Sequence, residues 1–405
     1  MDTGEPSRGG QVGASEAAII SFCADPFHRA ATAYGHPTSA TMAERFVDRV
    51  LKPLSPNSRF ERRSDLEWLI SVSAADGSPD AFVTASRVRS GAHPVDVDGQ
   101  TTFLDVCMGV AARDQLPEVT DRVDLVRCAD AALCMALIRQ HHVVFADAET
   151  LPLVREHVEI GNRLAEAKPE DFRLHYQAIV RPDDRRPVGF ESLLRWYVDS
   201  EVLTPQTFLP AAQATSLIVP IGQHAIGTAI RTLAGEITTA FGDDAFVSIN
   251  LSAQQLWADD IVTHIGELIA ANSVTPQRVW IEVREDEVIR LGSAAARAIE
   301  GLDELGCTIC IDDLGAGYSA LRYVRDLPVD VVKVDRSLIS GVVDDASDRA
   351  VVRAICDMAR ATGMTTLAEG IETDEMLSSV VDLGFDLAQG YLFGRPEPAS
   401  SVFTR

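Results

Sequence analysis

Two adjacent aspartates, Asp312 and Asp313, close an apolar run and are followed by Gly315-Ala316-Gly317. Residues 307–311 carry one threonine and are otherwise apolar, which reads as a buried strand. Side chains alternate along a strand, so neighbouring carboxylates share one site only where the strand is ending and the backbone bends. Such a pair repels and raises its own pKa values unless cations hold it ionised. Taken alone, the pattern suits a solvated turn as well as it suits a cation site. Other strand-like runs shift the balance, because at their ends stand Gln177, Glu191, Asn250, Glu282, Lys333 with Asp335, Glu369 and Gln389.

Carboxylates with an amide oxygen, and neither histidine nor cysteine, describe a hard-cation site that suits Mg²⁺ or Mn²⁺ and not Zn²⁺. Of nine histidines only His175 lies in one of these strands. Asp312 and Asp313 suit the bridging and flanking of two metals ~3.5–4 Å apart, the arrangement of phosphoryl hydrolysis. Lys333, in an otherwise apolar strand, suits a water-orienting or charge-stabilising role, against the plainer reading of a salt-bridged lysine. Arg195 suits a substrate phosphate or a structural ion pair. Asp335 and Glu372 suit places behind the ligands, where they would anchor them.

The elements that must position these groups follow a regular rhythm. Strand patterns at 173–180, 188–196, 245–251, 278–283, 307–312, 329–334, 365–370 and 387–393 alternate with helical ones such as 220–236, 293–305 and 348–362. Eight strands in about 240 residues predict a (β/α)8 barrel, whose catalytic groups sit at the carboxyl ends of the strands. Upstream, residues 1–16 read as a disordered lead-in. Residues 17–148 read as a smaller α/β domain, with strands expected at 67–72, 81–88, 101–112 and 142–146 and helices at 39–51 and 123–139. A charged amphipathic helix at 149–168 leads into the barrel at 169–405.

The formal charge is −24, from 60 acidic against 36 basic residues, which argues against nucleic acid or an anionic membrane as partner. Seven cysteines scattered in apolar runs suit reduced, buried thiols, and Cys307 with Cys310 lacks the second pair that a zinc site needs. No run reaches a membrane span and the N-terminus lacks a signal layout, so a cytoplasmic location is expected.

Over residues ~168–400 the strand ends resemble the EAL family of cyclic-di-GMP phosphodiesterases. The segments that carry the resemblance are Glu191-Ser192-Leu193, Asn250-Leu251-Ser252, Ile281-Glu282-Val283-Arg284-Glu285, Asp312-Asp313-Leu314-Gly315-Ala316-Gly317-Tyr318-Ser319, Val332-Lys333-Val334-Asp335, Ala368-Glu369-Gly370-Ile371-Glu372 and Gln389-Gly390-Tyr391. The resemblance implies hydrolysis of cyclic-di-GMP to linear pGpG with two Mg²⁺ or Mn²⁺ ions, in a homodimer formed through the barrel. It implies Glu191, Asn250, Glu282 and Asp312 on one metal, and Asp312, Asp313 and Glu369 on the other. Lys333 and Gln389 would position the attacking water, Glu285 would anchor the loop after Asp313, Arg195 would contact phosphate, and Glu372 matches an acid of active members. Gln177 and Asp335 are expected beside the substrate.

The departures from that family are Ser192 for alanine, Leu314 and Ala316 for phenylalanine and threonine, and Gln213 with Ala214 for acids. The N-terminal domain resembles a degenerate GGDEF domain through Tyr34-Gly35-His36 and Ala129-Asp130-Ala131-Ala132-Leu133, with Ser64-Asp65-Leu66-Glu67-Trp68 at the naming motif. Cys23 stands where a metal-binding aspartate would be and Leu137 where a lysine would be, so no cyclase activity is expected, and the domain's expected role is regulatory or dimerising. Two rivals remain at this point: a non-catalytic cyclic-di-GMP receptor acting through a protein partner, and a Mg²⁺-dependent lyase of the enolase type using Lys333 as base.

Overall fold

The computed structural model describes residues 16–80, 82–83, 95–97, 100–102, 104–138, 141–215, 217–257, 260–284, 294–314 and 327–403. The chain divides into two compact units, residues 1–159 and 160–405.

In the first unit the apolar run Glu16–Ala24 forms β1, paired antiparallel with β3 (Glu67–Ser73) and with β6 (Val106–Ala112). The edges are β2 (Arg59–Arg62) on β3 and β7 (Val143–Phe145) parallel to β6, giving the order β2-β3-β1-β6-β7. A ribbon of β4 (Val95–Val97) and β5 (Gln100–Thr102) splits the single strand expected at 101–112. The strand expected at 81–88 falls almost wholly outside the described residues; within it Phe82 and Val83 are helical. Helix Arg122–Ile138 covers one face of the sheet, burying Leu125, Ala129 and Ala132 against Ile19 and Ala111. The other face buries Phe22, Ile70 and Met108 beneath Met42 and Phe46 of helix His36–Phe46.

In the second unit eight strands close a ring: β8 (Phe172–Val180), β9 (Pro187–Val198), β11 (Phe246–Asn250), β12 (Val279–Arg284), β13 (Thr308–Leu314), β14 (Val331–Val334), β15 (Thr365–Ala368) and β16 (Leu387–Gln389). Two short strands are appended, β10 (Glu201–Leu203) on β9 and β17 (Glu397–Pro398) on β8. The expected βα alternation fails at the first step. β8 and β9 are joined by a tight turn through Arg181–Arg186 and pair antiparallel, and β8 is antiparallel to β16 as well. Six residues cannot make a parallel crossover, which takes a dozen or more.

Strand periodicity layers the barrel interior. An apolar floor contains Ile179, Phe246, Trp280, Cys310, Val331, Leu367 and Leu387, with the Phe246 and Trp280 rings stacked. Two positions along each of these strands toward the barrel mouth, hence on the same inward face, stand Gln177, Ser248, Glu282, Asp312, Lys333, Glu369 and Gln389. Glu191 completes the tier from β9, two positions beyond Gly189. Each of the eight strands thus contributes one polar side chain to a single tier. Among the described residues no helix is long and apolar enough to cross a membrane.

Candidate active site

Lys333 sits at the centre of the polar tier and is 1% exposed. Its ammonium lies 2.6 Å from Glu369 Oε1, 2.9 Å from Glu282 Oε2, 3.3 Å from Asp312 Oδ1 and 3.7 Å from Glu191 Oε1. Four carboxylates around one cation leave an excess of buried negative charge. Burial disfavours a charged lysine, yet Asp312, Glu191, Glu282 and Glu369 together hold its pKa well above the ordinary range.

The carboxylates divide by environment. Burial opposes ionisation of Glu191, but Lys333 and the donors Asn250 and Gln389 outweigh it and keep its pKa below the ordinary value. Asn250 Nδ2 donates to Oε1 at 2.9 Å, and Gln389 Nε2 donates to Oε2 at 2.6 Å. Glu282 is 1% exposed, and burial with the neighbouring Glu191 drives its pKa well up despite Lys333. Glu369 is pushed up to about 8 by burial and by Asp312 and Glu191, again with Lys333 opposing. Gln389 also donates to Gln177 Oε1 at 3.0 Å, and Gln177 is fixed by donating to the Gly394 carbonyl at 3.0 Å.

The backbone is irregular where the two adjacent aspartates stand. Between β13 and β14 the register slips by one residue after Ile311, so that Leu314 and not Asp313 pairs with Val334. A bulge of this kind leaves one residue of the strand unpaired and bends its backbone. Asn250 and Glu282 are direct cross-strand partners, as are Arg284 and Asp312.

The remaining predicted residues lie around this centre. Arg195, two pairs along β9 from Glu191, donates to the Leu194 carbonyl at 2.7 Å; burial holds its pKa down against Tyr391 and Glu191. Glu372 is exposed and ion-paired to Arg336 at 3.0 Å. Asp335 caps the short helix Arg336–Ile339, accepting from Ser337 N at 2.8 Å. Leu314 is buried, and the Gln213 carbonyl accepts from Gln254 at 2.8 Å. Glu285, Ala316 and the side chains of Asp313 and Ala214 lie outside the described residues. A cleft of about 340 Å³ opens over Glu191 and Gln389 between Leu193, Tyr391, Arg336 and Glu372. A larger hollow of about 760 Å³, around Arg278 and Trp280 at the opposite end of the barrel, holds none of the tier residues.

The sequence reading missed Ser248, whose hydroxyl donates to Glu282 Oε1. It lies two residues before Asn250 on β11, but a lone serine in a buried strand carries no signal of its own.

The donor set fits hard divalent cations. It offers carboxylate and amide oxygens, and among the described residues Gln389 Oε1 is buried with no hydrogen-bond partner and Asp312 Oδ1 has only the Lys333 ammonium at 3.3 Å. Among the described residues no three carboxylates surround one cation position on their own; the Lys333 ammonium takes that centre.

Residues 162–396 match the family model for the EAL domain. An uncharacterized protein of Azorhizobium caulinodans is 33% identical over 325 residues, 78% of this chain and 43% of that protein. The bifunctional diguanylate cyclase/cyclic di-GMP phosphodiesterase MucR of Pseudomonas aeruginosa is 28% identical over 95% of this chain and 56% of its own length. The chain spans about half the length of the curated relatives it matches. Among solved structures, the PaMucR phosphodiesterase in its c-di-GMP complex superposes with a TM-score of 0.55 at 33% identity, over 62% of this chain and 100% of that one. The EAL enzyme Bd1971 in its cAMP-bound form gives 0.58 at 26% identity, over 78% of this chain and 85% of that one. A barrel whose inward tier joins Glu191, Glu282, Asp312, Lys333 and Glu369, with Asn250 donating to Glu191, and whose sequence matches the family model across that barrel, belongs to the EAL-domain family.

Proposed function

We propose that this chain is a cyclic-di-GMP phosphodiesterase that hydrolyses its substrate to linear pGpG at the carboxyl rim of the barrel. The observation that carries the reading is the buried Lys333 ammonium held among Glu191, Glu282, Asp312 and Glu369, in a chain of this family. Glu191, Asn250, Glu282 and Asp312 would hold one Mg²⁺ or Mn²⁺ ion, and Asp312, Asp313 and Glu369 a second. When bound, the pair supplies positive charge and Lewis acidity at the phosphodiester. Lys333 then serves two purposes, compensating the carboxylates and orienting the attacking water by donating to it. Gln389, whose buried Oε1 has no hydrogen-bond partner among the described residues, accepts a hydrogen bond from that water. Arg195 and Gln177 hold the dinucleotide above Glu191, Asp335 and Glu372 support the rim, and Glu285 anchors the loop after Asp313.

The N-terminal unit is a degenerate GGDEF-like module in a regulatory or dimerising role, and the protein works in the cytoplasm as a homodimer joined through the barrel. Its β1 carries Cys23 in place of a metal-binding acid, and burial pushes that thiol up to about 12, which makes it a poor ligand. The purified N-terminal unit is expected to make no cyclic-di-GMP from GTP. The full chain, incubated with Mg²⁺ or Mn²⁺ and cyclic-di-GMP, is expected to yield pGpG, and Glu191→Ala to abolish it. Binding of the dinucleotide without any pGpG would replace this reading with that of a receptor.

A further inference from the structure

Ser248 is fully buried on β11, two residues before Asn250 and on the same inward face. Its hydroxyl donates to Glu282 Oε1, while Lys333 donates to Glu282 Oε2 at 2.9 Å. Its own carbonyl accepts from Ser192 Oγ at 2.7 Å, and Ser192 is buried too. A chain of hydrogen bonds thus runs Ser192–Ser248–Glu282 across three neighbouring strands, β9, β11 and β12. A carboxylate rotates about its last bond unless both oxygens are held, and each oxygen has room for a second partner after accepting one hydrogen bond. Donors at both Oε1 and Oε2 fix the plane of Glu282. Nothing else described donates a side-chain hydrogen bond to Oε1. Ser192 in turn ties the β11 backbone at Ser248 to the strand that carries Glu191.

We infer that Ser248 is a positioning residue for metal binding, aiming the Glu282 carboxylate at the cation site through its hydroxyl. The inference deepens the phosphodiesterase reading and rests on it. Loss of a group that orients a ligating side chain typically weakens metal affinity about 10–100-fold.

The test is direct titration of the full chain with Mg²⁺ by calorimetry, alongside kcat and KM for cyclic-di-GMP. Ser248→Ala should weaken Mg²⁺ binding about tenfold or more. At saturating metal its KM for the dinucleotide should stay at the wild-type value. Ser248→Cys keeps the volume but offers only a weak donor, and should show the same loss if the alanine variant fails to fold. Ser248→Thr retains the hydroxyl and should restore affinity. Wild-type Mg²⁺ affinity in the alanine or cysteine variant would overturn the inference while leaving the phosphodiesterase reading intact. So would a threonine variant as weak as alanine, which would assign the loss to packing. A wild-type chain that takes up neither Mg²⁺ nor Mn²⁺ would instead overturn the phosphodiesterase reading, and this inference with it.

Discussion

At the scale of single residues, the site is a problem in charge compensation. Lys333 is one cation against four carboxylates, so removing it leaves several buried charges unanswered. Breaking a buried ion pair from one side costs about 3–5 kcal/mol. Lys333→Met is therefore expected to lower unfolding free energy by that order in metal-free buffer at pH 8, read from urea denaturation, and to abolish hydrolysis. At pH 5 the loss should shrink, because Glu369 is already protonated there in the wild-type chain and burial pushes Glu282 the same way, so fewer charges lose their partner. The same carboxylates make metal-free stability depend on pH with a definite sign. The folded Glu369 has a pKa of about 8 against an ordinary 4.5, so between those values the folded chain binds the extra proton. Stability contributed by that protonated form is present below pH 4.5 and is lost as pH rises toward 8. Glu191, shifted the other way, has already delivered its contribution throughout this window. Mg²⁺ competes with the protons, so its stabilising effect should be small at pH 5.5 and large at pH 8. Thermal melts with and without Mg²⁺ at both values check this, and a shift that is larger at pH 5.5 would contradict it.

At the scale of elements, the tier depends on backbone segments held close together. Gly390 follows Gln389, and a Cβ there would run into the backbone of Ile371 in the loop after β15. That contact belongs to a pair of backbone bonds: Ile371 N donates to the Gln389 carbonyl, and Leu392 N to that of Ile371, each at 3.0 Å. Gly390→Ala must pry these loops apart and carry Gln389 away from Glu191. The expected cost is ~1–3 kcal/mol, as for other overpacked sites, with a fall in kcat larger than any change in Tm would explain. Legibility also sorts by element. The carboxylates and Lys333 were readable because a strand of period two places its polar residue beside a predictable apolar partner, as Lys333 stands beside Val331. Ser248 was not readable, since one serine inside a buried strand looks the same whether it fills space or holds a ligand. The β8–β9 hairpin was hidden by the assumption of uniform alternation, although Pro182-Asp183-Asp184 is an ordinary turn signal. The bulge at Asp312 was half legible: the need for a bend follows from the adjacent acids, but its register does not.

At the scale of the molecule, the helix Thr150–Glu166 decides where the barrel unit begins. Read from sequence it is a connecting helix ending at 168, with the barrel starting at 169. Its second half, however, carries Ile160 and Leu164, which are buried with Phe172, Trp196 and Phe208 in one apolar cluster of the second unit. Arg163 adds an ion pair to Asp199 at 3.1 Å and lies over the Trp196 ring at 5.8 Å. Trp196 and Phe172 belong to β9 and β8, the two strands whose antiparallel pairing closes the ring, so this helix packs against the barrel's closing seam. Fully burying an isoleucine or leucine contributes about 1.5–3 kcal/mol each. A fragment beginning at 168 forfeits both, and should be less stable than one beginning at 148 by roughly 3–6 kcal/mol, twice that figure. Urea denaturation of the two fragments measures the difference directly. Metal-dependent hydrolysis by the longer fragment would show that the barrel unit with its leading helix is sufficient for chemistry. Equal stability of the two would mean that Ile160 and Leu164 cover the seam without holding it, and the boundary would return to residue 168.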